Sequence, residues 1–168
     1  NEYYRKNAIL AAVDIGIGLN TGEVSVGNFG SKKRFRYTAL GDEVNIASRF
    51  ESLNKVYGTY IIIAESTRKE IANDAGFFVR ELDRAVVKGR HEPQKIFELL
   101  LAPLPAGVLD CFEQGIKYYR EGKWDEAITH FSKISDKDNP SKLYLARCQE
   151  FKKNPPQDWD GVYHFHAK

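Results

Sequence analysis

The sequence predicts an α/β domain, with strands and helices mixed in the α+β manner, followed by an all-α segment. Three observations lead to this prediction. Apolar residues alternate with period two in the first half of the chain, as is typical of half-buried strands. An amphipathic helical pattern follows those strands. A stretch at 101–107 with two prolines and a glycine then separates this half from a region with helical periodicity alone.

The first elements are the end of a helix at about 1–11 and a strand at 13–19. A turn at 20–22 leads to a second strand at 24–29, and we interpret the two strands as a hairpin. The glycines of these strands lack the sequence context of a phosphate-binding loop. We interpret them as positions where two backbones approach closely.

A helix is predicted after Asp42, which is expected to act as its N-cap by accepting hydrogen bonds from free N–H groups. Ile46, Phe50 and Leu53 form an apolar stripe at i, i+4 and i+7 that should face the core. The later elements of this half are then predicted from the same patterns. They are a strand at 60–63, a helix from 66 or 67 to about 73, and strands at 77–82, 85–87 and 95–100, with mostly antiparallel pairing.

Asn45 and Arg49 lie one residue away from the apolar stripe, which is about 100° of helix rotation. They should flank the core without entering it. Residues at i and i+4 lie one above the other on a helix, so an amide and a guanidinium point to one side. This pair of side chains suits a phosphorylated sugar.

The motif that contains this pair, RFRYTALGDEVNIASR, resembles the nucleotide-handling part of a class III adenylate/guanylate cyclase domain. The segments that carry the resemblance are 15–31, 34–49, 86–89 and 95–99. They cover about 10–101 in the family's order. The resemblance implies a ferredoxin-like nucleotide cyclase fold at 1–101 that lacks its N-terminal third.

The segment 108–168, after a linker at 102–107, resembles a tetratricopeptide repeat, a unit of ~34 residues with two antiparallel helices. The residues near the matching offsets are Gly115, Tyr118, Gly122, Trp124, Ala127, Phe131, Ile134 and Pro140. One repeat cannot bury its own faces, so a third helix at about 141–152 and the cyclase domain are expected to cover it. Two interpretations stay open, a helical cap without a ligand and a groove for a protein partner.

The resemblance implies the formation of a cyclic nucleotide, with attack of the ribose 3′-oxygen on the α-phosphorus and loss of pyrophosphate. On the matching positions Asn45 would orient the ribose, and Arg49 would stabilise charge on the transferred phosphorus. Lys88 would reach the triphosphate, a role that Arg90 could share. Thr38 lies where the family reads the purine and matches one bacterial branch of adenylate cyclases. Each residue also has an interpretation without a ligand. Arg49 would then be an exposed helix cation, Lys88 a turn lysine and Thr38 an ordinary strand threonine.

Family members that catalyse hold two divalent ions, Mg or Mn, on two aspartates in the first third of the domain. We expect that third, with the adenine-contacting lysine, to precede Asn1. The chain is therefore expected to be a fragment that binds no metal and has no cyclase activity by itself. Asp14 is interpreted as a surface or strand-end charge and not as one of those ligands.

The favoured function is a bacterial, cytoplasmic adenylate cyclase in signal transduction, acting on ATP as a head-to-tail homodimer. Three alternatives stay open. One is a guanylate cyclase, and another is a non-catalytic dimerisation module in which the helical segment is the working part. The third is a degenerate domain that binds nucleotide without catalysis.

Composition argues against several other classes. The net charge is only +2, and the basic residues at 32–36 lack any nucleic-acid-binding module, so no nucleic acid is expected. No apolar run approaches the roughly 20 residues that span a bilayer. Cys111 and Cys148 are interpreted as buried thiols in a reducing cytosol, with a disulfide as the alternative. His164 and His166 lack a third ligand, which favours aromatic packing over a metal site.

Overall fold

The computed structural model describes residues 15–31, 34–72, 76–86 and 92–165, and its first half mixes strands and helices, as predicted. The segment after residue 107 was expected to be all-α but is not, because its helices are followed by a short strand at Tyr163–His164 that pairs with the sheet of the first half. The strands are β1 (Ile17–Leu19), β2 (Ser25–Ser31), β3 (Arg34–Leu40), β4 (Ile61–Ala64), β5 (Phe78–Val86), β6 (Gln94–Leu100) and β7 (Tyr163–His164). The helices are α1 (Asp42–Tyr57), α2 (Glu65–Glu70), α3 (Val108–Arg120), α4 (Trp124–Phe131) and α5 (Asn139–Lys153). The helix expected at 1–11 lies outside the described residues.

Five strands form one sheet in the order β1-β4-β6-β5-β7. Strand β1 is parallel to β4, and β7 is parallel to β5, while β4, β6 and β5 pair antiparallel. Strands β2 and β3 form a separate antiparallel ribbon in which Ser25 lies opposite Leu40. Three of the five described strand pairs are antiparallel, which agrees with the predicted pairing.

The predicted hairpin between 13–19 and 24–29 is wrong in its pairing. The described part of the first strand is β1, which pairs with β4, and β2 pairs with β3. The segment between them does not close a hairpin because Asn20 is held elsewhere. Its side-chain amide donates to the Glu43 carbonyl, and its amide oxygen accepts from Ser66.

Helix α1 buries the predicted stripe of Ile46, Phe50 and Leu53 against the sheet. Its start differs from the prediction that Asp42 is the N-cap. Gly41 occupies that position without a side-chain cap bond, and Asp42 is the first helical residue. Gly41 adopts the non-helical backbone conformation that connects β3 to α1, so Asp42 already belongs to the first turn of the helix. An acidic side chain in that turn interacts favourably with the positive end of the helix dipole.

Gly18 in β1 and Gly16 just before it allow this part of the chain and α1 to touch through their backbones. A Cβ atom on Gly18 would lie 2.0 Å from the Ala47 carbonyl oxygen, and one on Gly16 would lie 2.9 Å from the Glu51 carbonyl oxygen. The predicted close approach is therefore confirmed for this strand. It does not apply to Gly27 of β2, where an added Cβ would meet only the Phe29 ring, at 3.7 Å.

Two other boundaries differ from the prediction. The strands expected at 77–82 and 85–87 are one continuous strand, β5, with an irregular register between Glu81 and Asp83. This bulge interrupts the alternation of apolar and polar residues, and for that reason the sequence predicted two strands where there is one. Helix α2 starts at Glu65 and is only one to two turns long.

Helices α3, α4 and α5 share one apolar cluster with α1 and the sheet. Tyr144 of α5 is fully buried, and its hydroxyl donates to the Leu82 carbonyl at 2.8 Å. The helices are thus covered by one another and by the sheet. The connection at 101–107 has neither helix nor strand, as its prolines predicted, and Gly107 enters α3 with φ 77°. Within the described ranges, no helix combines the length and hydropathy needed to cross a membrane.

Cys111 and Cys148 are both free thiols, as expected, but Cys111 is only half-buried. Cys148 is buried on α5, and burial raises the pKa of its thiol to about 12. A thiol with so high a pKa is almost entirely protonated at neutral pH and is chemically inert. Cys148 is therefore a core residue.

Candidate active site

Helix α1 places Asn45 and Arg49 one turn apart beside its buried stripe, as predicted. Asn45 is exposed, and Arg49 is half-buried. Both follow directly from the ribbon, because only Gly41 separates the end of β3 from the helix. The ribbon and the start of α1 are therefore directly connected along the chain.

Arg49 has a feature that an ordinary surface arginine lacks. Its Nη1 atom is shielded from solvent and has no hydrogen-bond partner among the described residues. A buried guanidinium nitrogen without an acceptor is unfavourable, since the lost hydration is not replaced. An anionic oxygen of a ligand would supply the missing acceptor, and a guanidinium binds phosphate oxygens well.

Thr38 is half-buried on β3, opposite Gly27 of β2. It lies three residues before Gly41 and therefore close in sequence to the start of α1. Lys88, the predicted triphosphate contact, and Arg90 both lie outside the described residues. The structure thus combines Asn45 and Arg49 on one helix and places Thr38 on the strand that leads into it.

The N-terminal end of α1 is fixed by Asn20, which follows β1. The Asn20 amide donates to the Glu43 carbonyl at 3.1 Å and to the Glu43 carboxylate. Ser66 of α2 donates to the Asn20 amide oxygen at 2.9 Å. The sequence indicated only a turn at this asparagine, so its role in holding the site helix was missed.

The C-terminal end of α1 is fixed by a buried carboxylate on β5. The Tyr57 hydroxyl donates to Asp83 Oδ2 at 2.6 Å, and Arg147 Nη1 of α5 donates to the same oxygen at 2.8 Å. The backbone N–H of Arg84 donates to Asp83 Oδ1. Burial, followed by the charge of Asp83, raises the pKa of Tyr57 well above its usual value, so the phenol stays a neutral donor. We call Tyr57, Asp83 and Arg147 the buried triad.

A second buried ion pair joins the sheet to the helices. Arg80 of β5 donates to Glu98 of β6 and to Asp138 at the start of α5, each at 2.7 Å. Its guanidinium also lies 4.6 Å from the centre of the Phe112 ring. Burial raises the pKa of Glu98, and the charge of Arg80 opposes that rise. No sequence pattern had indicated this cluster or the buried triad, although a charged residue inside an apolar strand is a usable signal.

Metal ligation finds no support in this part of the chain. Among the described residues, no group of three or more His, Cys, Asp or Glu side chains is arranged to hold an ion. The two divalent ions implied by the family resemblance do not fit the residues that the structure describes. His164 is exposed on β7, and its predicted companion His166 lies outside the described residues.

The site described so far is a helix that follows a β ribbon and carries an arginine whose shielded Nη1 atom has no hydrogen-bond partner among the described residues. Residues 2–100, more than half of the chain, match the family described as adenylate and guanylate cyclase catalytic domain. The chain belongs to this family.

Individual relatives agree with that assignment. The chain is 33% identical over 148 residues to "Adenylate cyclase, terminal-differentiation specific" of Dictyostelium discoideum, a match that covers 82% of this chain and 7% of that protein. It is 40% identical over 91 residues to an adenylate cyclase of Anabaena cylindrica, covering 54% of this chain and 18% of that protein. The chain thus spans less than a fifth of the length of either relative.

A solved structure supports the fold. The crystal structure of the adenylyl cyclase CyaB from P. aeruginosa superimposes with a TM-score of 0.52 at 32% sequence identity. The match covers 63% of this chain and 52% of that chain. The predicted cyclase-like α/β fold is therefore confirmed at the level of the family.

Proposed function

We propose that the protein is an adenylate cyclase that converts ATP to cyclic AMP and pyrophosphate in signal transduction. The observation that carries the proposal is the shielded, unpaired Nη1 of Arg49, one helical turn from Asn45. Relatives named adenylate cyclase favour an adenine nucleotide. The proposal applies to the full-length protein, and the described residues are proposed to form part of its active site.

Each candidate residue has a proposed role in the transfer. Asn45 hydrogen-bonds the ribose and orients its 3′-oxygen towards the α-phosphorus. Arg49 stabilises the negative charge that grows on the phosphoryl oxygens, because its planar guanidinium is permanently charged and can donate to two oxygens at once. Lys88 binds the triphosphate, and Thr38 accepts a hydrogen bond from the adenine amino group.

Two divalent ions, Mg or Mn, would neutralise the phosphates and activate the attacking hydroxyl when bound. Their ligands would come from residues other than those that the structure describes. The contribution of the described residues is positioning and charge stabilisation, which supply a large share of the rate in phosphoryl chemistry.

The helices after residue 107 are proposed to form a tetratricopeptide-like unit that caps the cyclase domain. Gly115 of α3 supports this proposal, because an added Cβ would lie 2.6 Å from the Phe131 ring of α4. The two helices meet at a small residue, and this close packing supports the proposed repeat-like unit. A cytoplasmic, bacterial homodimer is the assembly that we propose, with a protein partner for the helices as the second possibility.

The test is replacement of Arg49 by alanine in the full-length protein. We expect kcat for cyclic AMP formation to fall on the order of 10²-fold or more with little change in KM, because the lost contact is made mainly in the transition state. Lys55→Ala is the matched control, since Lys55 is an exposed cation on the same helix. Its turnover should equal that of the wild type. Equal turnover in Arg49→Ala and wild type would remove Arg49 from the mechanism.

A further inference from the structure

We propose that Arg147 is a positioning residue for the site helix: through Asp83 and Tyr57 it fixes α1 in the orientation in which Arg49 acts. The inference rests on the proposed function, since it assigns a catalytic consequence to contacts far from the substrate. It links the helical segment to turnover through helix α1.

The buried triad connects α1, β5 and α5 through hydrogen bonds and an ion pair that are shielded from solvent. The side chains of Arg147 and Asp83 are 7% and 2% exposed, and Tyr57 is fully buried. Ion pairs in such surroundings are screened much less than surface pairs. Because Asp83 Oδ2 accepts from both Tyr57 and Arg147, moving α5 changes the hydrogen bond that holds the last residue of α1.

Helix α5 contacts the end of α1 at a second point. The side-chain amide of Asn139, the first residue of α5, donates to the Gly58 carbonyl at 3.1 Å. Gly58 ends α1 in the left-handed region with φ 68°, and a Cβ added there would lie 2.6 Å from Asn139 Cβ. Two residues about two turns apart on α5 therefore fix both the position and the direction of the end of α1.

The helix transmits this constraint to the site. Helix α1 is continuous from Asp42 to Tyr57, and Arg49 lies eight residues before Tyr57, about 12 Å along the axis. A small tilt at the end of a rigid helix displaces the guanidinium relative to a bound phosphate. Displacements on the order of 1 Å can lower turnover by about 10²-fold in a site that works by positioning.

Arg147 also holds the C-terminal strand. Its guanidinium lies 3.6 Å from the centre of the Tyr163 ring on β7, which pairs with Ala85 of β5. The same side chain therefore contacts α1, β5 and β7 while it belongs to α5. The similarity to the Dictyostelium protein covers 82% of the chain, more than the family match at 2–100 can account for, so part of the helical segment accompanies the cyclase segment there too.

The first test is Tyr57→Phe in the full-length protein, because this change removes one hydrogen bond and leaves the Arg147–Asp83 ion pair in place. We expect kcat to fall roughly 3- to 30-fold with KM unchanged, within the range of coupling seen for residues of one network. In an Arg49→Ala background the same change should have no further effect on kcat. Lys142→Gln, an exposed charge on α5, is the matched control and should leave kcat unchanged.

The second test measures the link without any assay of activity. Amide hydrogen exchange at residues 50–57 should become faster in Arg147→Gln and stay at the wild-type rate in Lys142→Gln. Arg147→Lys, which keeps the charge, should restore part of the protection. Unchanged exchange in Arg147→Gln would overturn the link.

The outcomes separate this inference from the proposed function. A wild-type protein that makes no cyclic AMP would contradict the proposed function, while the exchange experiment would still decide the link. An active wild type with undiminished kcat in Tyr57→Phe would overturn the positioning role. The same conclusion follows if Tyr57→Phe lowers kcat equally with and without Arg49, because the effect would then not act through that guanidinium.

Discussion

Thr38 is the residue on which base selection is expected to depend. It is half-buried on β3, where its hydroxyl can accept from the adenine amino group or donate to a guanine oxygen. In the full-length protein, Thr38→Ala should lower the ratio of kcat/KM for ATP over GTP by about 2- to 10-fold, the effect of one neutral hydrogen bond. Catalysis itself should persist.

Thr38→Ser is the matched variant, because it keeps the hydroxyl and removes only a methyl group. It should preserve the ratio of the two nucleotides. If the preference for ATP over GTP fell in both variants, the packing of the Thr38 methyl group and not its hydroxyl would determine base selection. An unchanged preference in Thr38→Ala would show that this residue does not recognise the base.

Single residues differed in how far the sequence revealed them. Asn45 and Arg49 could be selected as candidates from the sequence because a spacing of four on one helix is a local property. Asp83 and Arg147 were missed because they are separated by 64 positions, and only the folded chain brings them together. The shielded Nη1 of Arg49 likewise depends on how α1 packs, which no local pattern describes.

At the scale of elements, the contact between β1 and α1 gives a sharp prediction. Gly18→Ala should destabilise the fold by about 1–3 kcal/mol, since the new Cβ would overlap the Ala47 carbonyl and force strand and helix apart. The measurement is the free energy of unfolding by urea.

Gly27→Ala is the control for this change. It adds the same methyl group to a strand of the ribbon, where only the Phe29 ring lies within 4 Å. Its free energy of unfolding should stay within about 0.5 kcal/mol of the wild type. Equal losses in both variants would show that the general cost of alanine in a strand, and not the close approach, determines the effect.

The helices and strands were easier to predict from the sequence than the way in which the strands pair. The apolar stripe of α1 follows from a period of 3.6 and was correct to the residue. The pairing of β1 was wrong because it depends on β4, some 40 residues further on, and because Asn20 is bound by Glu43 and Ser66. Alternation shows that a strand has two faces, but it does not show which strand lies beside it.

For the whole molecule, the exposed apolar surface predicts self-association. Phe35 and Tyr37 on β3 are 64% and 76% exposed, and Val26 on β2 is 54% exposed. Contiguous apolar surface of this kind marks interaction sites. Light scattering of the purified chain at micromolar concentration should therefore show a dimer or a larger assembly, and a monodisperse monomer would contradict this.

A variant with Phe35→Ser and Tyr37→Ser should shift that assembly towards monomer, because both side chains lie on one face of β3. Tyr60→Ser is the control, since Tyr60 is 59% exposed but lies outside the ribbon. Equal association of all three proteins would show that the ribbon is not the surface involved.

The expected lack of cyclase activity in the chain by itself, and the boundary at 102–107, stay predictions.

The two buried ion pairs also bear on how such proteins can evolve. Arg80 depends on Asp138, and Asp83 depends on Arg147, so each half of the chain holds charges whose partners lie in the other half. Recombination that exchanged the cyclase segment without its helices would remove the Arg147 partner of Asp83 and one of the two carboxylate partners of Arg80, and breaking a buried ion pair costs several kcal/mol. Cyclase segments and helices of this type should therefore be inherited together, and their paired residues should change together.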